Sequence, residues 1–303
     1  MKDVLITGGA GKIGYDLVCR LLDSRYSITV LDLESKLSRK KLNRVKDKIK
    51  IIYGDVEDRN LIFDLVKKND IVIDYAGIMP PIADLDEKIS NSTNFLGTKN
   101  IVDAINDVNP DCIYVYMSFI SIYGNTAKTT KRLTTNGETD NPDDFYSVSL
   151  IRSEEYIREH LKKYIILRMP IVLTSNNYYL KHIKLNRIVN FITVKNMNEI
   201  VIGAMKSKKA LGNIYNISGF KANTTIFLKN RYKCSGSLGI HFRRLYYGEY
   251  DDSDEITDII NIKYQTASEY LKELKKRTNP IFRIIKQIIN FPAYLLFRYK
   301  TKK

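Results

Sequence analysis

The eight residues "TGGAGKIG", 7 to 14, stand between an apolar run and a stretch of helical periodicity, and no other segment limits the possible folds as sharply. Gly9, Gly11 and Gly14 satisfy G-x-G-x-x-G, while Gly8, Gly11 and Gly14 satisfy T-G-x-x-G-x-x-G. Glycines so placed permit a tight turn, let backbone approach a pyrophosphate and allow a helix to pack closely on its strand; the helix N-terminus attracts the phosphates. The next apolar run, "SITVLDL" (27–33), ends near Asp32, 18 residues after Gly14. A carboxylate at that distance accepts hydrogen bonds from an adenosine ribose and repels the 2′-phosphate of NADP. Glu34 adds to the repulsion, whereas Lys36 or Arg39 could pair with a phosphate. NAD is therefore the expected cofactor.

The strand-then-helix alternation continues well beyond this loop. Strands are expected at 3–9, 27–33, 48–55, 70–77 and 112–119, and helices at 12–23, 59–68 and 90–107. Strands apolar on both faces and separated by helices imply a parallel sheet covered on both sides, an α/β, Rossmann-type doubly wound fold. A helix follows Tyr146, and "KYIILRMP" (163–170) supplies a further strand that Pro170 ends. Past residue 171 the pattern loosens, leaving a helix at 198–208 and a strand at 212–218. The expected organisation is a dinucleotide-binding domain over 1–170, a smaller substrate lobe over 171–271 free to return elements to the first domain, and a tail over 272–303.

Charge singles out that tail. Of a net +15 on 303 residues, residues 272–303 hold ten Lys/Arg against one acidic residue. The rest of the chain is only mildly basic, and no recognised binding module accompanies the charge, which argues against a nucleic-acid partner. The basic run at 36–50 reads as a solvated face. Within 279–303, Ile281, Ile284, Ile285, Ile288, Leu295 and Leu296 share a helical stripe, and Pro292 should bend or end the helix. Interrupting charges argue against a spanning helix. Two readings remain: peripheral contact with an anionic membrane, or docking on the protein's own core or on a second subunit. The start of the chain reads as a strand and not as a leader, so a cytoplasmic location is expected, with any tail contact at the inner face of the membrane. Cys19, Cys112 and Cys234 and the three histidines are scattered without metal-ligand spacing, implying reduced, mostly buried thiols and no metal.

Together these segments resemble the extended short-chain dehydrogenase/reductase family, which contains nucleotide-sugar epimerases and dehydratases. The resemblance is carried in order by "TGGAGKIG", "LDL" with Asp32, "GDVED" with Asp55, "DYAG", "TNFLGTKNIVDA" with Asn94, "YVYMSFISIYG", "NPDDFY" with Tyr146, "ILRMP" and "GNIYNISG". It implies that Gly8, Gly11, Gly14 and the Lys12–Ile13 backbone hold the pyrophosphate and Asp32 the ribose. It places Asp55 and Val56 beside the adenine, Tyr75, Ala76 and Gly77 along the cleft, Asn94 in support, and Pro170 near the nicotinamide. It further implies a nucleotide-sugar substrate, a place in surface-polysaccharide or carbohydrate biosynthesis, and a homodimer.

The resemblance breaks at the catalytic set. The family uses a serine or threonine and a Tyr-x-x-x-Lys pair whose two members share a helix face. The lysine's charge favours the phenolate. Here the spacing is Tyr146-Ser-Val-Ser-Leu150, with Glu154 one turn on where the family often has glutamate. Aligning "SFISIYG" on Tyr123-Gly124 puts Phe119 at the hydroxyl position, leaving Ser118 and Ser121 as displaced candidates. Lys128 and Lys131 are candidate substitutes for the lysine, while Arg152 lies on the wrong helix face. Three functions stay open: an epimerase or dehydratase relative acting on a nucleotide sugar, a noncatalytic NAD-binding relative with a structural or sensory role, and an atypical reductase of a non-sugar substrate.

Overall fold

The computed structural model describes residues 1–124, 142, 144–174, 180, 183, 185–236, 255–292 and 294. Its centre is a parallel sheet of β1 (Lys2–Thr7), β2 (Tyr26–Asp32), β3 (Lys50–Tyr53), β4 (Ile71–Asp74), β5 (Ile113–Phe119), β6 (Tyr164–Met169) and β9 (Asn213–Asn216), in the order β3-β2-β1-β4-β5-β6-β9. Val4, Leu5 and Ile6 are fully buried in succession, as are Ile71, Val72 and Ile73. Runs of that kind need cover on both faces, and the crossover helices supply it. In α1 (Gly14–Leu21), for example, Leu17, Val18 and Leu21 turn inward. Each contributes about 1.5–3 kcal/mol by leaving water, which fixes the helix against β1 and β2.

The sheet order reverses direction between β1 and β4. At such a switch point the loops after the two strands diverge and leave a crevice at their carboxyl ends. The glycine loop opens into it from β1. Opposite lies the turn after β4, pinned by a buried network: the Thr7 hydroxyl donates to Asp74 Oδ1 at 2.5 Å, the Tyr114 hydroxyl donates to Asp74 Oδ2 at 2.7 Å, and the Ala76 N–H donates to Thr7 Oγ1 at 3.1 Å. Burial raises the Asp74 pKa.

Beyond β6 the chain builds a second, three-stranded sheet from β7 (Ile171–Leu173), β8 (Ile188–Thr193) and β10 (Phe220–Asn223), with β8 parallel to β7 and antiparallel to β10. The strand ended by Pro170 is thus followed at once by another in a different sheet. Between β8 and β10 lies α7 (Val194–Ala204), which starts four residues before the expected helix because the Thr193 side chain caps it, accepting from the Asn196 N–H. β9, from the second half of the chain, joins the first sheet beside β6.

Helix boundaries differ most over 87–108. The expected single helix is α4 (Glu87–Ser90), then a π-helical segment, Asn91–Leu96, then α5 (Gly97–Val108). Cys19 is exposed, which corrects the expectation for that thiol; Cys112 is buried and Cys234 half-buried. Among the described residues, no helix is long and apolar enough to cross a membrane.

Candidate cofactor and substrate cleft

The phosphate loop is held by its own backbone. Gly8 has φ +64° and its N–H donates to the Leu31 carbonyl at 2.9 Å, while the Gly11 N–H donates to the Gly8 carbonyl at 2.9 Å. A Cβ at Gly8 would meet the Tyr75 carbonyl oxygen at 2.6 Å, and one at Gly14 would overlap the Gly8 oxygen. Only glycine fits this approach of two strand ends to a helix N-terminus.

One arm of the cleft, a cavity of about 300 Å³, lies between the loop and the end of β2. Gly8, Ala10, Gly11, Asp32, Asp55, Val56 and Ser38 line it. Asp32 Oδ2 accepts from the Ala10 N–H at 2.7 Å, and Lys41 Nζ donates to the Ala10 carbonyl at 2.7 Å. Burial raises the Asp32 pKa, against the opposing pull of hydrogen bonds from the Ala10 and Leu33 backbones and of the Lys41 charge. Lys41 belongs to α2 (Lys36–Leu42), so part of the basic run at 36–50 supports the loop instead of facing solvent alone. Arg39, a candidate for a 2′-phosphate, is paired with Glu34 and lies over the Tyr53 ring at 5.5 Å.

The other arm, about 400 Å³, runs across the carboxyl ends of β4, β5 and β6. Gly8, Gly11, Tyr75, Ala76 and Gly77 wall both arms, joining them past the loop. Lys12, Ile13, Gly14, Asn94, Tyr146, Phe119 and Leu150 line this arm, together with Met79, Tyr116, Met169 and Thr174, which sequence reasoning did not single out. Asn94 sits in the π-helical segment and uses both ends of its amide on Ile78, accepting from its N–H at 2.8 Å and donating to its carbonyl at 3.0 Å. It thereby holds the loop after β4 in place. Pro170, expected near the nicotinamide, is buried but does not line the arm; its neighbour Met169 does.

Tyr146 lies in the first turn of α6 (Phe145–His160), whose N-cap is Asp144, accepting from the Ser147 N–H at 2.7 Å. Its ring is 6.4 Å from that of Phe119, and Leu150 sits one turn along on the same cavity wall. Burial raises the Tyr146 pKa, and the carboxylates of Asp144 and Asp84 raise it further. The environment therefore holds the phenol neutral, opposite to what a lysine at position 150 would do. Ser118 and Ser121 are buried away from the cleft lining: Ser121 Oγ accepts from the Ser147 hydroxyl at 2.7 Å, and Ser118 Oγ has no hydrogen-bond partner among the described residues. Arg152 donates to Asn91 Oδ1 at 2.6 Å and lies over the Phe95 ring. Lys128 and Lys131 lie outside the described residues.

Glu154 faces inward from α6, and Arg168 Nη2 donates to its Oε2 at 2.6 Å with both side chains buried. Arg168 Nη1 also donates to the Tyr123 hydroxyl at 2.7 Å, which donates to Asn216 Oδ1 at 2.7 Å. This chain ties α6 to β6 and β9. A contact that no motif announced joins the second half of the chain to the loop: the Tyr75 hydroxyl donates to Asn198 Oδ1 at 2.8 Å, and Asn198 Nδ2 donates to Asp16 Oδ2 at 2.9 Å and to the Ile13 carbonyl at 3.1 Å. Among the described residues, no group of three or more His, Cys, Asp or Glu is placed to hold a metal ion.

Comparison with known proteins gives this geometry a setting. The model of the NAD dependent epimerase/dehydratase family matches residues 4–178. A dTDP-glucose 4,6-dehydratase of Mycolicibacterium smegmatis is 32% identical over 181 residues, 58% of this chain and 53% of the relative. A putative UDP-glucose 4-epimerase of Methanocaldococcus jannaschii is 27% identical over 177 residues, 58% of this chain and 56% of the relative. The matches thus span about half the length of these curated relatives. Among solved structures, dTDP-glucose 4,6-dehydratase from Bacillus anthracis in complex with NAD superposes with a TM-score of 0.73 at 17% identity, covering 91% of this chain and 97% of that one. UDP-glucose 4-epimerase from Thermotoga maritima with UDP-glucose gives a TM-score of 0.74 at 17% identity, covering 90% and 97%. At these identities the structures share the fold.

Proposed function

The chain belongs to the NAD dependent epimerase/dehydratase family, and on that premise we propose that it binds NAD in this cleft and acts on a nucleotide sugar as an epimerase or dehydratase relative in carbohydrate biosynthesis. The observation that carries the reading is the continuity of the two arms past the glycine loop, with Asp32 in one and Tyr146 in the other. The loop at Gly8, Gly11 and Gly14 leaves no room for a Cβ beside the backbone groups that would face a pyrophosphate. Asp32 would accept from the adenosine ribose, with Asp55 and Val56 beside the adenine. When bound, NAD supplies a hydride acceptor for a sugar hydroxyl carbon.

The phenol of Tyr146, which lines this arm, would hold or move the hydroxyl proton. Phe119 and Leu150, the described residues at the family's hydroxyl and lysine positions, offer it neither a relaying hydroxyl nor a cation, and on this proposal its proton moves slowly near neutral pH. Losing effective acid–base help costs about 10² to 10⁴ in rate. A second reading, a relative that holds NAD for a structural or sensory purpose, rests on that same apolar wall. A homodimer is part of the proposal on family resemblance alone, and sedimentation would read it.

Incubation of the protein and NAD with UDP-, GDP- and dTDP-sugars, followed by NMR and mass spectrometry, separates the readings. Turnover that Tyr146→Phe abolishes supports the enzyme. Retained NAD with no turnover on any sugar of the panel supports the second reading. Failure to bind NAD overturns both.

A further inference from the structure

The helix α11 (Pro280–Ile289) is docked with its polar side inward. It packs on α8 (Thr224–Ser235), and its least exposed residues, Arg283 and Gln287, share one face with the C-cap Asn290. The Tyr232 hydroxyl donates to the Gln287 carbonyl at 2.8 Å, Gln287 Nε2 donates to the Lys233 carbonyl at 3.2 Å, and Asn290 Nδ2 donates to the Gly236 carbonyl at 3.0 Å. Gly236, at φ +68°, closes α8 and lets α11 approach so nearly that a Cβ there would lie 2.6 Å from the Arg283 carbonyl oxygen. Tyr294 then stacks on Tyr232 at 4.4 Å.

The opposite face is apolar and open. Ile281 is 68% exposed, Ile288 69% and Ile289 70%, and Phe282, Ile284 and Ile285 are exposed with them. An amphipathic helix ordinarily buries such a stripe. Here the molecule spends hydrogen bonds to hold it outward. Lys275, Lys276 and Arg277 stand exposed at the end of α10 (Ala267–Arg277), and Lys286 is exposed beside the stripe.

We propose that α11 is an interfacial helix that lays its apolar face on an anionic lipid surface. Charge selects that occupant. A twofold contact between copies places a patch against itself, which would bring two tails together, each with ten Lys/Arg and one acidic residue. An anionic surface neutralises the same charges, and each basic residue near it adds attraction. Docking on the protein's own core is already accomplished through the polar face. A ten-residue helix with an apolar stripe and flanking cations matches the requirements for lying in a bilayer interface.

Flotation of the full chain with phosphatidylcholine vesicles, with and without phosphatidylglycerol, tests the proposal independently of any catalytic function. Capture is expected on the anionic vesicles, reduced by high salt, and weakened by about tenfold or more in Ile284→Glu/Ile288→Glu. Both substitutions are at exposed positions, so the circular dichroism spectrum should not change. Because the chain has no Trp, Ile285→Trp is a unique reporter whose emission should shift to the blue on adding anionic vesicles. No capture by anionic vesicles, or capture unchanged by the double substitution, overturns the proposal. So does a dimer that the double substitution disperses while vesicle binding is absent, since a second copy would then be what covers the face.

Discussion

At Asp32 a single carboxylate joins motif and loop geometry, and the proposed ribose recognition rests on it. Its spacing from the glycine loop was legible in sequence; its hydrogen bond from Ala10 and the reach of Lys41 to the same residue were not, because both depend on how α2 returns to the loop. Burial raises the Asp32 pKa. For an acid with a raised folded-state pKa, the folded protein binds more protons than the unfolded chain between the ordinary carboxylate value and the raised one. This group's contribution to stability is therefore lost as pH rises through that window. NAD binding has the opposite pH dependence if it needs the carboxylate: affinity measured by calorimetry should fall as pH drops through the raised value. Asp32→Asn should weaken binding by about tenfold at neutral pH and flatten that dependence. Equal pH dependence in the variant would remove Asp32 from ribose recognition. Tyr146 shows the other limit of sequence reading: its register to Leu150 was visible and Asp144 lies in the same motif, but the raised pKa follows first from burial and also from Asp84, neither of which the motif contains.

Among the elements, those of the parallel sheet were the most readable, since strands buried on both faces leave long apolar runs between turns. The second sheet was not, because β7 has only three residues and follows Pro170 directly, where the pattern reads as an ending. The π-helical segment was equally hidden: its register serves Asn94, whose partner Ile78 is 16 residues away. Glu154 fixed the alignment of α6 in sequence, and the structure gives it a packing role through Arg168. Removing one partner of a buried ion pair leaves a charge without compensation. Arg168→Met should accordingly cost about 3–5 kcal/mol in chemical denaturation, and adding Glu154→Met should recover much of it. A loss below about 1 kcal/mol for the single variant would contradict the pair's role in joining α6 to β6.

For the whole molecule, the glycine loop, the switch point and the two arms of the cleft agree on a dinucleotide site, while Phe119 and Leu150 line the arm beside Tyr146. The cofactor half was legible because its constraints are local backbone ones. The arm beside Tyr146 draws on Met79, Met169 and Thr174 from separate loops and strand ends, so no single stretch of sequence contains it. The central claim is that the binding site is intact and the residues at 119 and 150 limit its chemistry. The direct measurement is single-turnover formation of NADH or of a modified sugar, comparing the natural chain with Phe119→Ser/Leu150→Lys at saturating NAD and nucleotide sugar. A rate at least about tenfold higher in the double variant, with NAD affinity unchanged, is the predicted result. A natural chain that turns over as fast as the variant, or a variant that binds NAD and nucleotide sugar yet remains inert, would contradict it.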